Sequence, residues 1–263
     1  MLRVNELNVT YRETGAKAVE QVSFELQKGE VLGILGESGS GKSTLGCALL
    51  RLIAPPGKIV GGEIWLEGKN ILMASEGELR RLRGGKIAMI FQDPFTALDP
   101  VFTIGEQIRE ALKIHQAGVD IEQKIKDALV AVKIDPNRIN DYPHQFSGGM
   151  RQRVVIAMAL ACRPEILIAD EPTTALDVTI QAEILSLLKE IRRKYNLSII
   201  YITHNFGIIR KICDRVMVMY KGRIVEAGGT EAVFSQPKNE YTKKLVECLK
   251  TLTPGPSPRG RGV

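Results

Sequence analysis

The stretch Gly36, Glu37, Ser38, Gly39, Ser40, Gly41, Lys42, Ser43, Thr44 constrains this chain more than any other. It matches Gly-x-x-x-x-Gly-Lys-[Ser/Thr] directly after an apolar run at 31–35. That run reads as a buried strand, and a strand, a glycine-rich loop and a helix in succession make a phosphate-binding loop. Glycines and small serines let the backbone curl until successive N–H groups point inward, and the helix starting near Lys42 adds its positive dipole end. In such a loop Lys42 reaches the β- and γ-phosphates and Ser43 offers its hydroxyl to Mg²⁺. Thr44 and the backbone donors around it hold the α- and β-phosphates. The competing reading is a Gly/Ser-rich turn that matches by chance.

A second apolar run, 166–170, delivers Asp170 and then Glu171 at its C-terminal end, where open α/β sheets place their ligands. Asp170 suits a Mg²⁺ site and Glu171 suits orientation and activation of an attacking water; the alternative is an exposed acidic turn. The run at 87–91 ends on Gln92, and the run at 197–202 ends in Thr203-His204. Gln92 and His204 therefore belong to the same sheet edge as Asp170, although a strand-end histidine by itself is more readily structural. Ser147-Gly148-Gly149 opens a strongly apolar helix, and its N–H groups can hold an anion or simply form an N-capped start. Tyr11, after the first strand, can stack on a base or cover the core.

The rest of the chain arranges itself around these points. Residues 2–9 and 22–26 alternate apolar and polar, the pattern of half-exposed antiparallel strands, and 61–68 is expected to join them. A helix is predicted from Lys42 to about Ile53, ended by Pro55-Pro56. Helical periodicity at 104–116 and 122–132 marks an inserted helical block at about 93–163. Further helices are expected at 76–83, 177–195, 206–212, 231–235 and 240–249, with a hairpin at 215–226 around Lys221-Gly222. This makes residues 1–250 one unit. The Pro- and Gly-rich tail at 251–263 lacks apolar periodicity and is expected to be disordered.

Composition excludes several classes. No window approaches the roughly 18 apolar residues of a spanning helix. Arg3, Asn5 and Glu6 stand where a signal peptide needs its apolar core, so secretion by that route is not expected. The four cysteines include no Cys-x-x-Cys pair and the three histidines do not cluster with them, which gives a disulfide framework or zinc site little support. The net charge of +6 comes from basic residues interleaved with acidic ones, with Arg259-Gly260-Arg261 as the exception, so a nucleic-acid footprint is not expected.

In this order and spacing the motifs resemble the ATP-binding subunit of an ABC transporter, over residues 2–249. The phosphate loop, the glutamine Gln92, the signature Ser147 to Gln152, the acidic strand end Asp170-Glu171, the loop Ala175-Leu176-Asp177 and the switch histidine His204 each match. The resemblance implies an α/β fold: a RecA-like P-loop ATPase core with an N-terminal antiparallel β subdomain and an inserted α-helical subdomain. It also implies ATP and Mg²⁺ as cofactors, with Tyr11 on the adenine and Ser43, Gln92 and Asp170 at the metal. The wording at 90–100 and 144–154 is similar to the dipeptide, oligopeptide and nickel import group, particularly its D-type ATPase. Three departures stand out: Met150 for a glutamine, Asn205 for an aspartate, and no longer Pro- and Cys-bearing C-terminal extension, a shortness more like the nickel-type members.

That resemblance further implies head-to-tail pairing with a second ABC ATPase, Ser147, Gly148 and Gly149 of one chain capping the γ-phosphate held by Lys42 of the other, with Asp177 nearby. Glu171 would polarise the water while Gln92 and His204 sense the γ-phosphate. Two membrane permease subunits and, indirectly, an extracytoplasmic substrate-binding protein are the implied partners, which places the chain peripherally on the cytoplasmic face of the membrane. The helical insertion beginning after Gln92 is the expected docking surface, and substitutions from Phe95 to Phe102 are expected to uncouple ATPase from transport. The alternatives are a soluble ABC ATPase acting on ribosomes or nucleic acid, and an exporter ATPase; one set of motifs and no coiled-coil insertion disfavour the former.

Overall fold

The computed structural model describes residues 1–11, 17–92, 97–115, 120–174 and 176–252, with the backbone alone for 248–252. Two sheets organise it. Strands β1 (Leu2–Thr10), β2 (Lys17–Leu26), β4 (Lys58–Leu66) and β5 (Lys69–Asn70) form an antiparallel sheet in the order β2-β1-β4-β5. Strands β3 (Val31–Leu35), β6 (Ile87–Ile90), β7 (Ile166–Asp170), β8 (Ser198–Thr203), β9 (Arg215–Tyr220) and β10 (Arg223–Gly229) form the second, in the order β10-β9-β3-β8-β7-β6. Within it β9, β3, β8, β7 and β6 run parallel, and β10 returns antiparallel along β9.

The apolar runs at 31–35 and 166–170 are strands buried along their whole length, as a parallel sheet covered on both faces requires. Alternation divides their side chains between two cores. Leu32, Ile34, Ile166, Ile168, Ile200 and Ile202 face the antiparallel sheet and helix α1 (Lys42–Leu49). Leu35, Leu167, Ala169, Ile199 and Tyr201 face the opposite core. That core is completed by α3 (Ile104–His115), α4 (Ile121–Ala131), α5 (Gly148–Leu160) and α6 (Val178–Tyr195). Helices α3 to α5 lie between β6 and β7 in sequence and pack on one another. Helix α2 (Glu76–Leu82) opens with a Ser75/Glu78 capping box. Helices α7 (Phe206–Ile212), α8 (Thr230–Ser235) and α9 (Glu240–Leu252) close the chain.

The structure corrects three boundaries. Helix α1 stops at Leu49 rather than near Ile53, well before the prolines. Arg51 adopts a left-handed φ of 51°, so the N–H of Leu52 reaches the Cys47 carbonyl and that of Arg51 the Ala48 carbonyl. Glycine usually takes this position, and here the Arg51 guanidinium is anchored on the Ala74 carbonyl at 2.6 Å. Strand β4 begins at Lys58, and Gly61-Gly62 is an irregularity inside it rather than its start. Gly62 sits at φ 95°, where an added Cβ would lie 2.5 Å from the Leu7 Cα, so the two strands can cross closely only at glycine. Helix α9 continues to Leu252, beyond the helix end expected at 249. Residues 93–96, including Phe95, together with Ala175 and the tail at 253–263, lie outside the described residues.

Candidate nucleotide site

The order of the parallel strands decides which side chains meet. Along the C-terminal edge β3 delivers the phosphate loop, its neighbour β8 delivers His204, the next strand β7 delivers Asp170 and Glu171, and the last, β6, leads to Gln92. Four segments far apart in sequence thus converge through strand register alone.

The phosphate loop folds back on itself. Lys42 is buried, its ammonium donating to the carbonyls of Gly36 (2.9 Å) and Glu37 (2.8 Å) and lying 3.5 Å from the Ser40 hydroxyl. Burial lowers its pKa, and the carboxylates of Glu171, Asp170 and Glu37 oppose that shift. Gly41, at φ 101°, is the N-cap of α1 and supplies no side-chain cap. The first N–H groups of α1 therefore keep their donor capacity for an anion. Two glycines here are dictated by close approach: a Cβ on Gly36 would sit 2.3 Å from the Met219 carbonyl oxygen, and one on Gly41 2.1 Å from that of Ala18. Ser38, Gly39 and Ser43 are exposed at the mouth, Thr44 is half-buried and Ser40 is buried.

Asp170 and Glu171 are adjacent but differently treated. Asp170 is only 4 % exposed; burial raises its pKa, a hydrogen bond from the Ser43 hydroxyl lowers it, and the Glu171 charge raises it, for a net increase. One of its oxygens, Oδ1, is buried without a hydrogen-bond partner. An orphaned carboxylate oxygen beside a serine hydroxyl is a donor set of the hard oxygen type that suits Mg²⁺. Among the described residues no group of three or more His, Cys, Asp or Glu side chains could hold a metal, so an ion at Ser43 and Asp170 needs further oxygens from a phosphate or water.

Glu171 adopts φ 45°, a conformation rarely occupied by a residue with a Cβ, fixed by its N–H bond to the Ile202 carbonyl at 2.9 Å. Its carboxylate accepts from the Gln92 amide at 3.2 Å and the Thr174 hydroxyl at 2.8 Å, and lies 2.6 Å from Nδ1 of His204. An ionised carboxylate only accepts, which assigns the shared proton to Nδ1. Burial pushes the Glu171 pKa up, but the bonds from His204 and Thr174 outweigh it and hold the carboxyl below its usual range. Glu171 is therefore charged, oriented and reachable from the side of Lys42.

The remaining expected residues lie apart from this cluster. Tyr11 is 37 % exposed, and its ring lies against Gly57, where a Cβ would come within 2.6 Å of Cε1. Ser147 caps α5, accepting from the Met150 N–H at 3.4 Å. Gly148 follows it half-buried, and Gly149 packs so closely on α6 that a Cβ would be 2.5 Å from Ile180. The Asp177 carboxylate is spent capping α6, accepting from Thr179 and Ile180 at 3.0 Å each. Asn205 likewise caps α7 through the Ile208 N–H at 3.4 Å, a task aspartate performs equally well.

Sequence reasoning passed over Thr174 and Arg138. The signal for Thr174 was its place three residues after Glu171 on a turn. Arg138 had none, because it works through contacts across a folded loop. Its guanidinium donates to Asp141 (2.7 Å) and to the Gln145 carbonyl (3.1 Å) and lies 3.9 Å over the Phe146 ring. It also reaches Met150 Sδ at 3.8 Å, so the methionine that replaces glutamine in the signature is part of the same packing. Replacing Arg138 with methionine keeps the stem but frees the segment before Ser147. ATP affinity is expected to stay near the wild-type value while turnover falls at least about tenfold, measured by nucleotide binding and phosphate release in parallel.

Residues 19–174 match the profile of the ABC transporter family. The chain belongs to the ABC transporter family. It is 48 % identical over 260 residues to the oligopeptide transport ATP-binding protein OppD of Bacillus subtilis, covering 96 % of this chain and 72 % of that protein. It is 47 % identical to the dipeptide transport ATP-binding protein DppD of Escherichia coli, covering 95 % and 78 %. It is also 48 % identical to the glutathione import ATP-binding protein GsiA of Salmonella typhimurium, covering 96 % of this chain but 42 % of that longer protein. In structure it resembles a dimeric ATP-binding cassette, MJ0796, in a post-hydrolysis state bound to ADP and Pi, with a TM-score of 0.77 at 27 % identity over 88 % of this chain and 99 % of that one. It also resembles CbiO1 of Clostridium perfringens, part of an ABC transporter complex, with a TM-score of 0.79 at 31 % identity over 95 % and 96 %. The phosphate loop described above is thus that of an ATP-binding cassette.

Proposed function

We propose that this cassette hydrolyses ATP to energise import of peptides through a membrane permease, working as one of two paired ATPases. The observation that carries it is the convergence of Lys42, Ser43, Asp170 and Glu171 with Gln92 and His204 at one sheet edge, in a chain whose relatives are named for peptide and glutathione import. Lys42 would leave the Gly36 and Glu37 carbonyls for the β- and γ-phosphate oxygens. Glu171 would hold the attacking water and take up its proton, while Gln92 and His204 report on the γ-phosphate through their bonds to that carboxylate. Ser43, Asp170 and Gln92 would hold Mg²⁺, whose charge neutralises the phosphate oxygens. Tyr11 would stack on adenine.

What supports pairing is the separation of the signature from the phosphate loop. Ser147, Gly148 and Gly149 present a capped helix start on α5, which packs on α3, α4, α6 and β6, whereas α1 packs on β1, β2, β7 and β8. A second chain set head to tail would bring its signature over this phosphate loop, with Asp177 at the seam. Closing and reopening of that pair would drive the permease by population shift.

A cleft of about 490 Å³ between the core and the helices supports permease docking. Leu52 and Phe91 line it on the core side and Ala97, Val155 and Met158 within the helical block, with exposed Val101 and Phe102 also in the expected docking stretch. Among the described residues no helix is long and apolar enough to cross a membrane, so attachment to one would be through such a partner. In cells lacking this gene, uptake of a labelled oligopeptide is expected to fail and to return with the wild-type chain but not with Leu52→Asp, although that variant still hydrolyses ATP. Loss of nickel uptake with peptide uptake unchanged would reassign the cargo. Co-purification with RNA or DNA instead of membrane proteins would replace the transport reading.

A further inference from the structure

The C-terminal helix touches the phosphate loop. Glu226 on β10 accepts from the N–H groups of Lys238 (2.8 Å) and Asn239 (3.1 Å), fixing where α9 begins. The Asn239 side chain accepts from the Tyr241 N–H at 2.9 Å, and the Tyr241 ring lies 4.2 Å from that of Tyr220 at the end of β9. So placed, the Tyr241 hydroxyl accepts from the backbone N–H of Glu37 at 3.4 Å. Burial pushes the pKa of this hydroxyl up, as does the Glu37 carboxylate beside it, so it stays protonated and can donate while it accepts.

The same hairpin grips the other end of the loop. The Gly222 N–H, in the β9–β10 turn, donates to the Ser40 carbonyl at 3.0 Å, and Met219 closes on Gly36. The carbonyls that hold Lys42, those of Gly36 and Glu37, lie at the Tyr241 end of the gripped stretch.

We propose that Tyr241 is a positioning residue for the nucleotide reaction, holding Glu37 so that the phosphate loop keeps its inward-facing curl. It acts through Glu37. The Gly36–Glu37 peptide unit carries both the N–H that Tyr241 binds and the Gly36 carbonyl that Lys42 uses, and the Glu37 carbonyl that Lys42 also uses follows it, so freeing this unit loosens the start of the loop. The inference rests on the nucleotide reading of Lys42 and deepens it.

Tyr241→Phe keeps the ring on Tyr220 and removes only the hydroxyl. In the full chain it is expected to raise the Kd of a fluorescent ATP analogue and the KM for ATP about fivefold, the scale of one hydrogen bond. The kcat and Tm should stay near wild type, because the packing is intact. Tyr241→Ala should lower Tm as well. If Tyr241→Phe binds ATP as the wild type does, or if its Tm falls along with affinity, the helix is only a brace and the proposal is overturned. Lys42→Ala in the same assay separates the two readings. Undiminished ATP binding by that variant would sink the nucleotide assignment itself, whereas weakened binding with a wild-type Tyr241→Phe would sink only the latch.

Discussion

Glu171→Gln is expected to retain ATP binding and to lose turnover by about two to four orders of magnitude, the range a positioned general base contributes. The substitution keeps the side chain's shape but removes the charge on which the Gln92 amide, the Thr174 hydroxyl and His204 Nδ1 converge. One of the two terminal positions becomes an NH₂ facing a donor, so the triad must also loosen on one side. Burial raises the Glu171 pKa, but the bonds from His204 and Thr174 outweigh it and hold the carboxyl below its usual range. Its ionised form therefore persists to lower pH than that of an ordinary carboxylate. An acid limb of turnover at higher pH would have to come from another group, and Asp170 is the candidate. Phosphate release measured beside equilibrium nucleotide binding checks the prediction; hydrolysis at the wild-type rate would remove Glu171 from the reaction.

How much of this was legible beforehand depends on the reach of each contact. The phosphate loop and the strand ends carrying Gln92, Asp170, Glu171 and His204 are local patterns: an apolar run, then a polar residue or a glycine turn. Strand order then assembles them, and burial on both faces is written in uninterrupted runs such as 166–169. The end of α1 was not legible, because arginine at position 51 takes a conformation that normally advertises itself as glycine. Nor was the irregularity in β4, where Gly61-Gly62 reads as a boundary although the strand passes through it. Arg138 and Tyr241 were hidden for a different reason. Tyr241 meets Glu37 across 204 positions of sequence, and no periodicity or turn signal encodes which loop a tyrosine will touch once the β9–β10 hairpin has folded.

Asp170→Asn is expected to make the nucleotide-free chain more stable while costing turnover at least about two orders of magnitude. Burial is the main reason the Asp170 pKa is raised, and the neighbouring Glu171 charge adds to it beyond what the Ser43 hydroxyl and Lys42 relieve. The sign follows from proton counting. In the pH range between the unfolded and the raised folded pKa the folded chain holds more protons, so stability falls as pH rises through that range, and the full penalty of the ionised form is present above it. A neutral asparagine can still accept from Ser43 and carries no such penalty. Each kcal/mol so relieved raises Tm by about 2–4 °C in a domain of this size. Mg²⁺-dependent nucleotide affinity should fall at the same time, because the buried Oδ1 that has no hydrogen-bond partner is replaced by a weaker donor or an NH₂. Melting curves at neutral pH, with and without Mg²⁺ and ATP, test both halves. A variant that melts below the wild type without nucleotide would show Asp170 to be a structural carboxylate, whereas a higher Tm with lost Mg²⁺ dependence marks a residue kept ionised in the core at the expense of stability.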